Sequence, residues 1–93
     1  MLVLPEVVTV REAPDVLHML EQNVRRDSDA ALTIDASALR DFDTAAIAVL
    51  LECSRQAQAW GKGMVIKGAP AKLGELAALY GVDKLLTFGT PVA

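Results

Sequence analysis

The residues best placed to do chemistry in this chain lie together in one short run, Asp41-Phe42-Asp43-Thr44, directly ahead of Ala45-Ala46-Ile47. A short polar side chain at the start of an apolar helical pattern satisfies the orphan N–H groups of a helix N-terminus, and a carboxylate there also gains from the helix dipole. The same position can serve recognition. It follows a strand pattern, and partner and ligand sites gather at the carboxyl ends of strands in α/β sheets. From the residues alone, cap and recognition site both stand.

Elsewhere the chemistry thins out. His18 is the sole histidine and falls between Leu17 and Met19 on a helical pattern, where an exposed helix residue is a plainer reading than a general base. With one histidine and one cysteine, zinc has no ligand set. Cys53 sits in an apolar stretch without a histidine at a spacing for nucleophilic work, and it cannot form an internal disulfide, so a buried thiol in a reducing compartment is expected. Nothing like a nucleophile elbow surrounds Ser28, Ser37 or Ser54. Gly61-Lys62-Gly63 ends a helix instead of opening one, so its N–H groups are not aimed at an anion, and it reads as a turn. The chain is expected to be no enzyme, and to need no metal and no cofactor.

Charge and hydropathy narrow the partners. The net charge is -3, and the nine basic residues are scattered, with Arg25-Arg26 the one adjacent pair and no aromatic residues interleaved. That argues against nucleic acid. Met1–Glu6 lacks the basic and long apolar regions of a signal peptide, and no run reaches the ~18–20 apolar residues of a membrane span. A cytoplasmic protein without direct membrane insertion is expected. At 93 residues, 53% hydrophobic but only 4% aromatic, the chain should make a single domain (1–93) with an aliphatic core.

The elements that must position the Asp43-Thr44 run alternate between strand and helix. Met1–Leu4 and Val7–Val10 are β-branched-rich runs divided by Pro5-Glu6, an edge strand or two fragments of one. A first helix should carry Ala13, Leu17, Leu20 and Val24 on one face with Val16 beside them. Its start is signalled both by the Thr9/Glu12 capping-box pattern and by Pro14, which favours Ala13, and its end falls near Asp27-Ser28-Asp29. Ala31–Ala36 is a strand apolar on both faces near its centre. Ala38–Phe42 is a loop with one short turn, and a second helix runs from about Thr44 to Trp60. Met64–Lys67 is the next strand, closed by Gly68. Pro70 opens a third helix with Leu73, Leu76, Ala77 and Tyr80 on one stripe, ended by Gly81. Leu85–Phe88 is a last short strand or a further helical turn.

Such alternation implies an α/β fold with parallel pairing through right-handed crossovers, about four strands, and helices mainly on one face. The second helix is unusual. Ala46, Leu50, Cys53, Ala57 and Trp60 make one stripe and Ile47 and Leu51 widen it, yet Ala45, Ala48 and Val49 lie on flanks where polar residues belong. Deep burial and a partner surface both explain that pattern.

The run Leu32–Leu39 followed by Phe42–Leu51 resembles the central motif of STAS domains, the anti-sigma factor antagonists and their relatives: a hydrophobic strand ending in Asp, a short loop, then Asp-Ser/Thr-x-Gly-Leu opening a helix. The likeness spans roughly Leu2 to Leu86. Within the family the chain is most similar to the short MlaB-like STAS subunit of Mla phospholipid-transport ABC complexes, through Thr44 in place of Ser and the run Ala78–Val82. The resemblance implies a mixed, mostly parallel STAS sheet and a non-enzymatic accessory subunit that docks on an ABC transporter ATPase, peripheral at the inner membrane through that partner. Asp43 and Thr44 would make the polar contacts, with Ala45, Ala48, Glu52 and Arg55 one helical turn apart behind them. The alternative it implies is an anti-sigma factor antagonist whose Thr44 is phosphorylated by an anti-sigma factor kinase. A homodimer through the second helix would compete with either partner. Two departures stand out: Ala46 replaces the usual Gly, and the stretch before the first helix is short, so one strand of the leading hairpin is expected to be truncated or missing.

Overall fold

The computed structural model describes residues 2–26, 31–86 and 88–89. Two strands precede the first helix, β1 (Leu2–Val3) and β2 (Val7–Val8), followed by α1 (Ala13–Arg26), β3 (Ala31–Asp35), β4 (Asp41–Phe42), α2 (Thr44–Ala59), β5 (Gly63–Lys67) and α3 (Ala71–Leu79). The main sheet has the order β1-β3-β5 and is parallel throughout, with Leu2 opposite Ile34 and the five residues of β3 opposite those of β5 from Ala31↔Gly63 to Asp35↔Lys67. Phe88 adds a parallel bridge to Ile66, so the chain begins a further strand at that edge. The expected strand at Leu85–Phe88 reduces to that bridge, with Thr87 outside the described residues.

Each crossover advances in the same direction across the sheet. Right-handed connections then place all three helices on one face, and α2 packs against both α1 and α3. Burial along the strands agrees: Leu32, Ile34, Met64 and Ile66 are buried, while their alternates Thr33, Asp35 and Val65 are half-buried and Lys67 is exposed. The expectation that β3 is apolar on both faces fails for this reason. Its second face carries no helix layer among the described residues, so alternation replaces a continuous apolar run.

The leading segment differs from a hairpin. β2 turns away from β1 and pairs in parallel with β4, Val7 opposite Asp41 and Val8 opposite Phe42. The stretch expected as loop therefore contains a strand. Two residues of Asp-Phe carry too little alternation to announce one, and the pairing is supplied by a distant partner. The Glu6 carbonyl accepts from the N–H groups of both Arg40 and Asp41, fixing where this ribbon begins.

Helix termini follow local chemistry. Ahead of α1, the Glu12 carboxylate accepts from the Thr9 N–H at 3.0 Å and from its hydroxyl, while Pro14 takes the second helical position, so both start signals are used. The expected end of α1, Asp27-Ser28-Asp29, lies outside the described residues. α2 ends on Gly61, whose φ of +72° lets Lys62 N–H return to the Ala57 carbonyl at 2.8 Å. Lys62 also reaches across to donate to the Val24 carbonyl in the last turn of α1, at 3.0 Å. That ammonium satisfies an orphan carbonyl at the negative end of α1.

Candidate partner-binding site

Asp43 stands outside α2 in an extended conformation, with φ -128° and ψ -163°, and its side chain accepts from Ala45 N–H at 2.8 Å. Its backbone carbonyl accepts from Ala46 N–H at 3.0 Å, closing the first helical turn. The second carboxylate oxygen faces Val10 N–H at 3.4 Å, tying the approach to α1 to the start of α2. Asp43 is therefore a helix cap and a strut between two segments 33 residues apart in sequence.

Thr44 is the first residue of α2 and is exposed, as are Asp41 and Asp43. Ala45 is half-buried, Ala48 exposed, Glu52 half-buried and Arg55 exposed, each following the last by one helical turn. These residues thus share one face of α2, while Ala46, Ile47, Val49, Leu50, Cys53 and Ala57 point into the molecule. Ala46, the residue in the usual Gly position, is buried, so its extra methyl contributes to the core and not to the exposed face. Arg55 donates to both Glu52 oxygens, with its Nε at 3.0 Å, and this pairing holds the Glu52 carboxyl below the usual carboxylate range. Asp35, at the end of β3, is likewise held low by Ser37, whose N–H it accepts at 2.9 Å.

Two aromatic residues leave the stripes expected of them. Trp60 caps the end of α2 at 57% exposure and Tyr80 caps α3 at 58%. Both are C-cap residues just past the last helical residue, where the helical period no longer sets the direction of a side chain, so periodicity overstates their burial. Leu17 and Ala13 depart as well. The core face of α1 is Val16, Leu20 and Val24, with Leu17 and Ala13 half-buried to one side.

That displacement opens a groove of ≈ 390 Å³ between the start of α1 and the start of α2. Val10, Ala13, Pro14 and Leu17 form one wall; Ala45, Ala48 and Val49 form the other. The second wall consists of the three residues whose apolar character on the flanks of the second helix stood out in the sequence, whereas the first wall was not expected there. The β-branched run Val7–Val10 predicts a strand through Val10, but β2 ends at Val8, which frees Val10 for the groove.

Cys53 is buried, and burial pushes its thiol up to about 11, which keeps it neutral and poorly nucleophilic. His18 is exposed and its Nε2 lies 3.1 Å from the Gln22 amide. Among the described residues no three His, Cys, Asp or Glu side chains are grouped to hold a metal, and no helix is long and apolar enough to cross a membrane.

A three-stranded parallel sheet with one helical layer, and an exposed hydroxyl at the helix start that follows its central strand, define the class of a STAS-type α/β fold. A solved structure with this architecture is the anti-sigma factor antagonist SpoIIAA in its unphosphorylated form, similar with a TM-score of 0.71 over 95% of this chain and 78% of that one at 9% identity, a likeness of fold. The family model described as "Mlab, STAS domain" matches residues 1–87, and the chain belongs to that family. Among curated proteins no sequence match is found.

Proposed function

We propose that this chain is a non-enzymatic interaction module whose working surface is the exposed face of α2 opening at Asp43-Thr44, and that its partner is the ATPase subunit of an Mla-type phospholipid-transport ABC complex. Its place would then be cytoplasmic, at the inner membrane only through that partner. The observation that supports this reading most is the placement of Thr44. It is exposed at the first position of a capped helix, with the small side chains of Ala45 and Ala48 behind it, in a chain of the MlaB STAS family. Small side chains let a partner backbone approach closely, and the polar helix start fixes its register. Asp43, Thr44, Ala45, Ala48, Glu52 and Arg55 are the proposed contact residues.

Co-expression with the ATPase subunit tests the proposal. Thr44→Arg should abolish co-purification while the circular dichroism spectrum and melting temperature stay at wild-type values. Retention of the ATPase at wild-type levels would place the interface elsewhere.

A second reading is favoured by the exposure of the Thr44 side chain and the likeness to an anti-sigma factor antagonist. Phosphorylation of Thr44 would add about -1.5 to -2 charges at pH 7. The helix N-terminus tolerates that charge, but exposed Asp41 and Asp43 repel it, so the modification would disrupt partner binding sooner than the fold. Incubation with an anti-sigma factor kinase and ATP, followed by intact mass measurement, distinguishes the readings. An unchanged mass argues against the switch.

A further inference from the structure

The groove between α1 and α2 has a chemistry that specifies its occupant. Its lining residues are all apolar, from Val10 and Leu17 on one side to Ala48 and Val49 on the other, and it opens to solvent. A small-molecule site would carry convergent polar anchors among the apolar walls. This groove has its polar groups at its ends. At one end the Asp43 carboxylate spans from α2 to Val10 N–H. Toward the other end, one turn beyond Leu17 and Ala48, the Gln56 amide bridges Glu21 at 3.0 Å and Glu52 at 3.5 Å. Arg55 is the cation at that end and is occupied by Glu52. The exposed Arg11 follows Val10 at the Asp43 end, so the three carboxylates Asp43, Glu21 and Glu52 that bracket the apolar trough outnumber the two cations beside them, Arg11 and Arg55.

We propose that the groove receives an amphipathic helix of the partner protein, seating aliphatic side chains one turn apart against Leu17, Ala48 and Val49 and placing Lys or Arg at both ends toward Asp43 and the Glu21–Glu52 pair. This rests on the reading of the α2 face as a partner surface and adds the chemistry of what the partner presents. The small side chains of Ala13, Ala45 and Ala48 let a helix approach the trough closely, and the charges would set its direction and discriminate against acidic helices.

Model peptides test this without the natural partner. A labelled 14-residue Leu/Lys amphipathic helix and its Leu/Glu counterpart, identical in their apolar face, are titrated with the intact protein by fluorescence anisotropy. The Leu/Lys peptide should bind at least about tenfold more tightly, because the charge contacts at both ends of the groove change from attractive to repulsive between the two. Ala48→Arg, which fills the trough, should abolish that binding, whereas Gln58→Arg, an equal change of charge on the same helix, should leave it within about twofold. Equal loss in both variants would reduce the binding to general charge attraction and overturn the proposal. So would equal affinity for the two peptides, or a monomer–dimer equilibrium removed by Ala48→Arg without peptide binding, which would assign the groove to a second copy. Capture of the ATPase by the Thr44→Arg variant bears on the surface as a whole and is scored separately. A groove that binds neither peptide while Thr44→Arg still loses the ATPase overturns only the present proposal.

Discussion

At the scale of single residues, Asp43 carries two roles that substitutions separate. Its carboxylate caps α2 through Ala45 N–H and braces Val10 N–H, so Asp43→Ala should lower stability by about 1 kcal/mol in urea unfolding, and Asp43→Asn, which still accepts, should lower it far less. Glu12 gives a pH dependence. Hydrogen bonds from the Thr9 hydroxyl and N–H hold its carboxyl below the ordinary value, so its contribution is complete above the unfolded carboxylate pKa of ~4.3 and is lost as pH falls through the lower folded value. Urea midpoints measured from pH 6 down to pH 3 should therefore fall less steeply for Glu12→Gln than for wild type. The cap was legible in the sequence because Asp-Thr before an apolar helical pattern has a local cause. The strut to Val10 was not, because nothing in the residues near Asp43 announces a partner 33 positions away.

Among the elements, two of the glycine turns, at Gly61 and Gly68, make a controlled comparison. Gly61 and Gly68 have φ of +72° and +68°, but a Cβ at Gly61 meets nothing within 4 Å, whereas one at Gly68 comes within 2.9 Å of the Ser37 Cβ. Gly61→Ala should cost about 1–2 kcal/mol for its backbone conformation alone. Gly68→Ala should cost more, because the clash falls between β5 and the loop that leads from β3 to the Asp43 site. With ~4–8 °C of melting temperature per kcal/mol in a domain of this size, calorimetry should rank the two variants clearly. Helices and the two five-residue strands were readable because their period and terminal residues agree. β2 and β4 were not, since two-residue strands have no period of their own, and the groove wall at Val10 and Leu17 depends on where β2 stops. The same agreement between levels places Thr44 at the head of α2, so the face behind it was legible, while its opposing wall was not.

Across the whole molecule, α2 is the element that ties the helical layer together and joins it to the sheet. It packs on β5, on α1 and on α3, with Leu50 and Cys53 almost completely buried beneath it. Leu50→Ala should cost about 2–5 kcal/mol, a large part of the ~5–15 kcal/mol that stabilises an ordinary domain, and should appear as a much lower urea midpoint. One helix thus organises the core through its inner face and presents Thr44, Ala48 and Arg55 on its outer one, so partner contacts can change without disturbing the packing behind them. That separation makes a clean test possible. Isothermal titration of the purified ATPase subunit with wild type, Thr44→Arg and the distant Gln58→Arg measures whether the head of α2 is the recognition surface. A rise in Kd of at least about 100-fold for Thr44→Arg, with Gln58→Arg unchanged and all three melting alike, is the expected result. A Thr44→Arg protein that binds within twofold of wild type would contradict it.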